Sequence, residues 1–576
     1  MNQSDIHLLD LPDELLLAIL KKLSNIDVLY SLLDVDNNRL DIIAQDKIFT
    51  NTINLTSIDE VILNRFCKYI LSRIHHNIQY LILESSLINR VFHARTYPKL
   101  THLKLIQFDQ DIVLQFFNDK SSIGQTIKQQ ITDLTLIYND TNDIIPILKD
   151  YTINVYARII TFFENLKHLN IKGSSITAYP GVLLYDLPST IFSSSILTKL
   201  CINVATFNDC LYLLDGRLSQ LNSFTVRVYD VDAPSLIVHN KNNLLKLKYF
   251  SLTCHSHIYT YDNRIIPLLH RMPNLEQLLL CLTVRNRNGL IDGTHLKNEI
   301  LIYTPFLKIF TFDIRTWNII NGSFPTLSND DIQQTFSDIR YQQIGCTVRY
   351  FLTNSVLCHI FTLPFTFDYL QCLTNHFPNV SFNHVLYLSI CDISPFEHEF
   401  FIRLSHAVPL LKHLTVTNST AQKCKSQEQN NNQSYSIIEF KHLNFLSVMN
   451  ADISYTEQFL LDTRTSLPCL TELRINYEYL KTVTHDFTKD ATRLNCTLYM
   501  IVWLPCVICF VITLFTPVPF VTALYGAYLS YYQYIACLLS LFACVLGSFE
   551  IRQVMRNTPL VRPAIQPTAQ RLQQQT

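Results

Sequence analysis

Pro273-Asn274-Leu275-Glu276-Gln277-Leu278-Leu279-Leu280 is the stretch on which the fold turns. Its proline stops a preceding helix, because it lacks an N–H and its ring clashes with the carbonyl four residues back. An extended segment then begins. Side chains alternate along a strand, so Leu278 and Leu280 share one face and point inward together. The same spacing, Pro-x-Leu-x-x-[Leu/Phe]-x-apolar, recurs at Pro98-Leu100-Leu103-Leu105, Pro305-Leu307-Phe310-Phe312, Pro409-Leu411-Leu414-Val416 and Pro468-Leu470-Leu473-Ile475. Proline-free versions fill the gaps: Ile78-Leu81-Leu83, Leu166-Leu169-Ile171, Leu197-Leu200-Ile202, Leu247-Phe250-Leu252, Val385-Leu388-Ile390 and Leu443-Leu446-Val448. The first positions are 28 residues apart from Leu247 to Leu275, 32 on to Leu307, 26 from Val385 to Leu411, 32 on to Leu443 and 27 on to Leu470. A fixed offset at that period predicts a solenoid in which each coil carries one strand and one helical return. Between Leu307 and Val385 no clear anchor occurs, so coils there are expected to be degenerate or interrupted.

These repeats resemble the irregular leucine-rich repeats, although the Asn or Cys that follows the third apolar position in the strict form is mostly missing. An ordinary doubly wound α/β domain would want glycine-marked turns, and only 10 of the 576 residues are glycine. The G-x-x-x-x-G-K-[ST], G-x-G-x-x-G, H-E-x-x-H and G-x-S-x-G patterns are all absent from the sequence. No enzyme activity and no cofactor are therefore expected. Lys and Arg number 46 against 47 Asp and Glu, a formal charge of −1, which gives no global basic surface for nucleic acid. The 16 cysteines show no regular pairing and read as reduced, mostly buried thiols of a cytosolic chain. Cys506-x-x-Cys509 stands in an apolar run with no second pair, a poor metal site. His255-Ser256-His257 places two imidazoles on one strand face, but no third ligand sits at a typical spacing. His75-His76 and Glu397-His398-Glu399 read as surface features, the latter as a helix start or client-facing patch.

The first fifty residues differ in kind. In Leu11-Pro12-Asp13-Glu14-Leu15-Leu16-Leu17-Ala18-Ile19-Leu20-Lys21-Lys22-Leu23, proline suits a first helical position and two acids sit at the positive end of the helix dipole. Leu15, Leu16, Ile19, Leu20 and Leu23 form one broad apolar face. A cap and turn at Ser24-Asn25-Ile26-Asp27 lead into Val28-Leu29-Tyr30-Ser31-Leu32-Leu33. So short a segment cannot bury that surface alone, which predicts a partner. The stretch resembles an F-box: Leu11, Pro12, Glu14, Leu15, Leu16, Ile19, Leu20, Leu23, Asp27, Leu29 and Leu32 match its pattern in order. The usual Val-Cys and Trp are replaced by Asp34-Val35-Asp36-Asn37-Asn38-Arg39-Leu40, which leaves the third helix open. The resemblance implies docking on a Skp1-type adaptor of a cullin-based ubiquitin ligase through Leu11, Pro12, Glu14, Leu16, Ile19, Leu20, Leu23 and Leu29, with a protein client on the repeats. A ligase-independent repeat scaffold is the alternative.

From 494 to 549 no residue is Asp, Glu, Lys, Arg or His, enough for two membrane spans, read as Leu498–Thr516 and Thr522–Ser548 around the bend at Pro517 and Pro519. Basic residues flank both sides of this hairpin, which predicts a membrane protein whose F-box and repeats face the cytosol. Trp503-Leu504-Pro505 and Phe549-Glu550-Ile551-Arg552 also resemble pieces of the last two helices of a rhodopsin-like receptor, but N-P-x-x-Y is absent and no receptor function is implied. A fusion of two reading frames is the other origin for this tail, and it would leave the protein cytoplasmic. The expected architecture is α/β: a helical F-box at 1–50, a leucine-rich-repeat solenoid at 51–490, a transmembrane helical hairpin at 491–550 and a polar cytosolic tail at 551–576.

Overall fold

The computed structural model describes residues 11–503 apart from 34, 36, 109, 139–147, 174–180, 185–186, 233–241, 321–325, 338–342, 352–353, 424–435 and 486–499. The chain divides into two compact units, Met1–Phe361 and Thr362–Thr576. In the first, four short helices, α1 (Asp13–Leu20), α2 (Asn25–Leu32), α3 (Asn38–Ala44) and α4 (Lys47–Thr50), precede a twelve-stranded sheet. Its strands are β1 (Thr52–Asn54), β2 (Tyr80–Glu84), β3 (His102–Phe108), β4 (Asp133–Tyr138), β5 (His168–Gly173) and β6 (Lys199–Thr206). They continue as β7 (Ser223–Asp230), β8 (Tyr249–Ile258), β9 (Gln277–Arg285), β10 (Ile309–Ile319), β11 (Gln343–Phe351) and β12 (Ser355–Leu363).

From β1 to β10 every strand pairs in parallel with its neighbour in sequence, and the register is set by one column of side chains. Leu81, Leu103, Leu134, Leu169, Leu200, Phe224, Phe250, Leu278 and Phe310 stand side by side across β2 to β10. All are buried. A second column two residues on, from Leu83 to Phe312, is buried with them. A parallel ladder that always steps the same way, with right-handed crossovers, puts every return on one face of the sheet. Helical returns such as Gln110–Phe116, Arg158–Phe162 and Phe207–Leu213 accordingly place Val113, Ile159 and Cys210 in the same core as the strand columns. The opposite face carries Thr135, Asn170, Cys201, Thr225 and Ser251, and the return helices named above lie on the other side of the sheet.

Every predicted strand anchor within the described residues falls in or directly before a strand. Two coils of the same apolar spacing stand beside the anchors named above without being among them: Ile131-Leu134-Leu136 at β4 and Leu221-Phe224-Val226 at β7. The unanchored stretch after Leu307 holds a different construction. There β12 pairs antiparallel to β10, from Asp313 opposite Phe361 to Ile319 opposite Ser355, and β11 lies outside it. Parallel growth therefore stops at β10.

The second unit repeats the principle. Its six-stranded sheet runs β13 (Tyr369–Leu373), β14 (Tyr387–Cys391), β15 (His413–Asn418), β17 (Phe445–Ala451), β19 (Glu472–Asn476) and β20 (Met500–Trp503), all parallel. A separate two-stranded pair is formed by β16 (Ile438–Glu439) and β18 (Thr465–Ser466). Leu370, Leu388, Leu414, Leu446 and Leu473 make its register column.

The transmembrane hairpin requires correction. Met500–Trp503, inside the first expected span, is extended and pairs in parallel with β19. No helix among the described residues is long and apolar enough to cross a membrane. The physical reason lies in β19, whose free edge offers unpaired N–H and C=O groups to which an apolar β-forming run can add. The remainder of that span, the span Thr522–Ser548, the Cys506-Cys509 pair and the tail 551–576 lie outside the described residues.

The column model makes a stability prediction. Leu280→Ala, at a fully buried position of β9, should cost about 2–5 kcal/mol, whereas Ile302→Ala on the surface should cost no more than about 0.5 kcal/mol. Chemical denaturation of the two variants beside the parent checks this; equal midpoints would mean that β9 does not lie in the core.

Candidate functional site

The N-terminal helices are individually capped. Ser24 accepts a hydrogen bond from the Asp27 N–H, Asn37 from those of Arg39 and Leu40, and Asp46 from that of Ile48. The third helix left open by the sequence is therefore formed, as α3, with Asn37 as its cap. Pro12 sits one position earlier than expected, at the N-cap of α1. Arg39 ties the start of α1 to α3 by pairing with Asp13 at 2.7 Å and donating to the Leu11 carbonyl. Arg73 donates to Asp41 at 3.0 Å and so joins α3 to the first coil.

The eight residues expected to hold the adaptor separate into two groups. Leu16 and Leu20 pack with Val28, Leu40, Ile43 and Phe49 in a small core between the helices. Leu29 belongs to the main core. These three hold the fold and cannot be contact residues without unfolding it, and Leu11 is half-buried. Pro12, Glu14, Ile19 and Leu23 are exposed. Ile19 and Leu23 are 46% and 52% exposed, and Leu15, one turn before Ile19 on α1, is 54% exposed. Ile42 and Ile48 on α3 and α4 add further uncovered apolar surface. Periodicity marks the whole apolar face of α1, but which half of it turns inward depends on where α2 and α3 pack.

The second candidate is the sheet face without return helices. At the strand starts, Asp133 lies between two imidazoles: His102 Nε2 is 3.3 Å from one carboxylate oxygen, and His168 Nδ1 contacts the other. Beside them Thr135, Asn170, Cys201 and Thr225 line an open depression of about 230 Å³. Among the described residues no group of three or more His, Cys, Asp and Glu is arranged to hold a metal ion.

Further along the strands the same face encloses charge. Asp313 on β10 is completely buried; His359 Nε2 donates to it at 2.6 Å, the Arg315 guanidinium lies 3.2 Å away, and the Cys281 thiol donates at 3.5 Å. Burial opposes ionisation of Asp313, but Arg315 and the His359 hydrogen bond outweigh it and hold the carboxyl below its usual range. Burial likewise depresses His359 despite the carboxylate, so its ring is neutral. His255 and His257 do not form the simple strand pair that their spacing predicts. A bulge between Cys254 and His257 breaks the register, leaving His257 opposite Thr283 and His255 within the irregularity. Burial, then the charges of Arg227 and Arg315, lowers His255 to about 3. His257 is exposed and is lowered by partial burial and by Arg285 and Arg315.

The other histidine motifs serve structure. His75 and His76 close the helical turn before β2, with edge-to-face rings 5.6 Å apart. His398 opens the helix His398–Ala407 and is buried, its Nε2 3.0 Å from the Ser436 carbonyl. Comparison of the chain with protein-family models and with curated proteins returns no match.

The neutral imidazoles fix the sign of a pH response. Between about pH 6.5 and about pH 3 the unfolded chain binds protons that folded His255 excludes, so stability is lost as pH falls through that window. His255 alone contributes a loss on the order of 2 kcal/mol by about pH 5, and His359 acts in the same direction. Asp313→Asn, which leaves Arg315 buried without its counter-charge, should cost about 3–5 kcal/mol. Thermal unfolding from neutral to mildly acid pH checks both; a midpoint unchanged down to about pH 5 would exclude the neutral assignment.

Proposed function

We propose that this chain is the substrate-recognition subunit of a cullin-type ubiquitin ligase. Its N-terminal helices dock a Skp1-type adaptor, and the sheet face free of helices receives a protein client. The observation that carries this reading is the uncovered apolar surface of Leu15 and Ile19 on α1 and Leu23 in the bend after it, beside a small core in which Leu16 and Leu20 are already packed. Fully burying one such side chain is worth about 1.5–3 kcal/mol, so three left in water call for a partner surface. The F-box resemblance supplies the class of that partner, and Pro12, Glu14, Ile19 and Leu23 are the matched residues still available to it. The strand-by-strand parallel ladder supports the client half, because stacked coils present one extended face that a polypeptide can lie along. Ubiquitin transfer then belongs to the other subunits of the ligase, and this chain contributes positioning alone.

The test is co-purification of the full chain with a Skp1-type adaptor. The parent should retain the adaptor, and the double variant Ile19→Asp, Leu23→Asp should bind at least about a hundredfold more weakly, because two exposed anchors are lost without disturbing the core. Leu245→Asp, at an exposed position in another part of the first unit, should bind like the parent. An adaptor retained equally by the double variant would sink the docking assignment. A parent that fails to bind would leave the ligase-independent scaffold as the function.

A further inference from the structure

The depression at the starts of β4 to β7 is lined by polar side chains whose hydrogen-bonding capacity is unused. Thr135, Asn170, Cys201 and Thr225 stand side by side in one register row, and Ser223 lies two residues before Thr225 on the same strand face. All five are partly exposed. None of their side chains hydrogen-bonds to a described residue. The Asn170 Oδ1 is moreover buried without a partner. Asp133, the acid of the same lining, differs: it is taken up by His102, by His168 and by the Thr132 hydroxyl at 2.7 Å.

A shielded amide oxygen with no donor is a cost to the fold, so what it does for the protein lies outside the fold. Size limits the ligand. The depression holds about 230 Å³, less than the roughly 300–1,000 Å³ of a small-molecule site and equal to seven or eight waters at roughly 30 Å³ each. That is room for one side chain of a longer partner. Chemistry limits it further. A hydrocarbon leaves all five polar groups unmet. A carboxylate has no donor for the Asn170 Oδ1, and an ammonium meets the exposed Lys199 in the same lining while Asp133 is already engaged. A carboxamide brings two N–H donors and one carbonyl acceptor. The last torsion of an asparagine is broad, so the Asn170 amide can turn Oδ1 outward to accept one N–H, with the hydroxyls of Thr135, Ser223 and Thr225 placed around the remainder.

We propose that the depression over β4 to β7 is a subsite for a glutamine or asparagine side chain of an extended client segment, with Asn170 pairing amide to amide and Thr135 and Thr225 flanking it. This rests on the client-binding half of the proposed function and names the side chain that the client presents. An extended segment lying along the sheet carries alternate side chains to one side, so a single carboxamide can enter while the backbone stays outside.

The experiment is fluorescence anisotropy of the full-length protein with short dye-labelled peptides in which threonine alternates with glutamine, glutamate, lysine or alanine. The glutamine peptide should bind at least about tenfold more tightly than the other three, because each of those leaves polar groups of the site unmet. Its affinity should change little with salt, since the contact is uncharged. Asn170→Val should weaken it at least about tenfold without lowering the thermal midpoint, as the lost amide has no partner within the fold. Asn170→Asp, which exchanges the donor for a charge, should move the preference towards the lysine peptide, and Lys308→Glu on the exposed loop before β10 should change nothing. If Asn170→Val lowers the midpoint, the amide serves the fold and the proposal fails. Equal binding of the alanine peptide assigns the contact to the backbone, and tighter binding of the glutamate peptide assigns it to charge; either overturns the proposal, as does no binding by any peptide. The Ile19→Asp, Leu23→Asp variant should keep full peptide affinity. Lost adaptor binding therefore reports on the ligase reading and lost peptide binding on this one.

Discussion

A single coil of this chain cannot bury its own apolar face. A five- to eleven-residue strand and a short return leave Leu81 and Leu83, or Leu278 and Leu280, with water on either side until the next strand arrives. Backbone pairing with that strand does two things at once: it satisfies the N–H and C=O groups of both edges and brings the next pair of leucines alongside. The continuous column from Leu81 to Phe310 is the outcome. Everything else follows from this dependence on the neighbour, including the placement of all returns on one face and the need for special constructions where the stack stops.

At its start, the first sheet is met by the helices α1 to α4, whose leucines are divided between a local core and the main one. That division explains why α1 is apolar on more of its circumference than the fold consumes. Leu16 and Leu20 face Val28 and Phe49. Leu15 and Ile19, displaced by about a quarter turn, and Leu23 in the bend after α1 are about half exposed. A surface helix with no second task would have carried polar residues at those positions.

The repeat is legible in the sequence because proline, leucine and strand alternation act locally and agree with one another. Pro273 to Leu280 would be extended in almost any context that buried its leucines. The coil Ile131-Leu134-Leu136 uses the same spacing, and its pairing with β3 and β5 places it in the column. The tail misleads for a related reason. Composition reports that Met500–Trp503 will avoid water but not which backbone geometry will do so, and the free edge of β19 decides that in favour of a strand. The buried charge cluster was not legible at all. His359 lies 44 residues after Arg315 and 46 after Asp313, and only the antiparallel pairing of β10 and β12 brings it to them.

That cluster has a physical rationale at the place where parallel growth ends. The edge of β10 could accept β12 in more than one register, since both strands are rich in apolar residues and little in their patterns distinguishes a shift by two. A buried carboxylate with a guanidinium and an imidazole changes this. In the observed register, His359 stands opposite Arg315 and its Nε2 reaches Asp313. A slip of one residue would turn His359 to the helix-covered face and leave Asp313 without a donor, and a slip of two would carry the imidazole past it. Because an unmatched buried charge costs several kcal/mol, the wrong registers are penalised far more than a hydrophobic pairing would penalise them. The polar network therefore contributes pairing specificity rather than net stability.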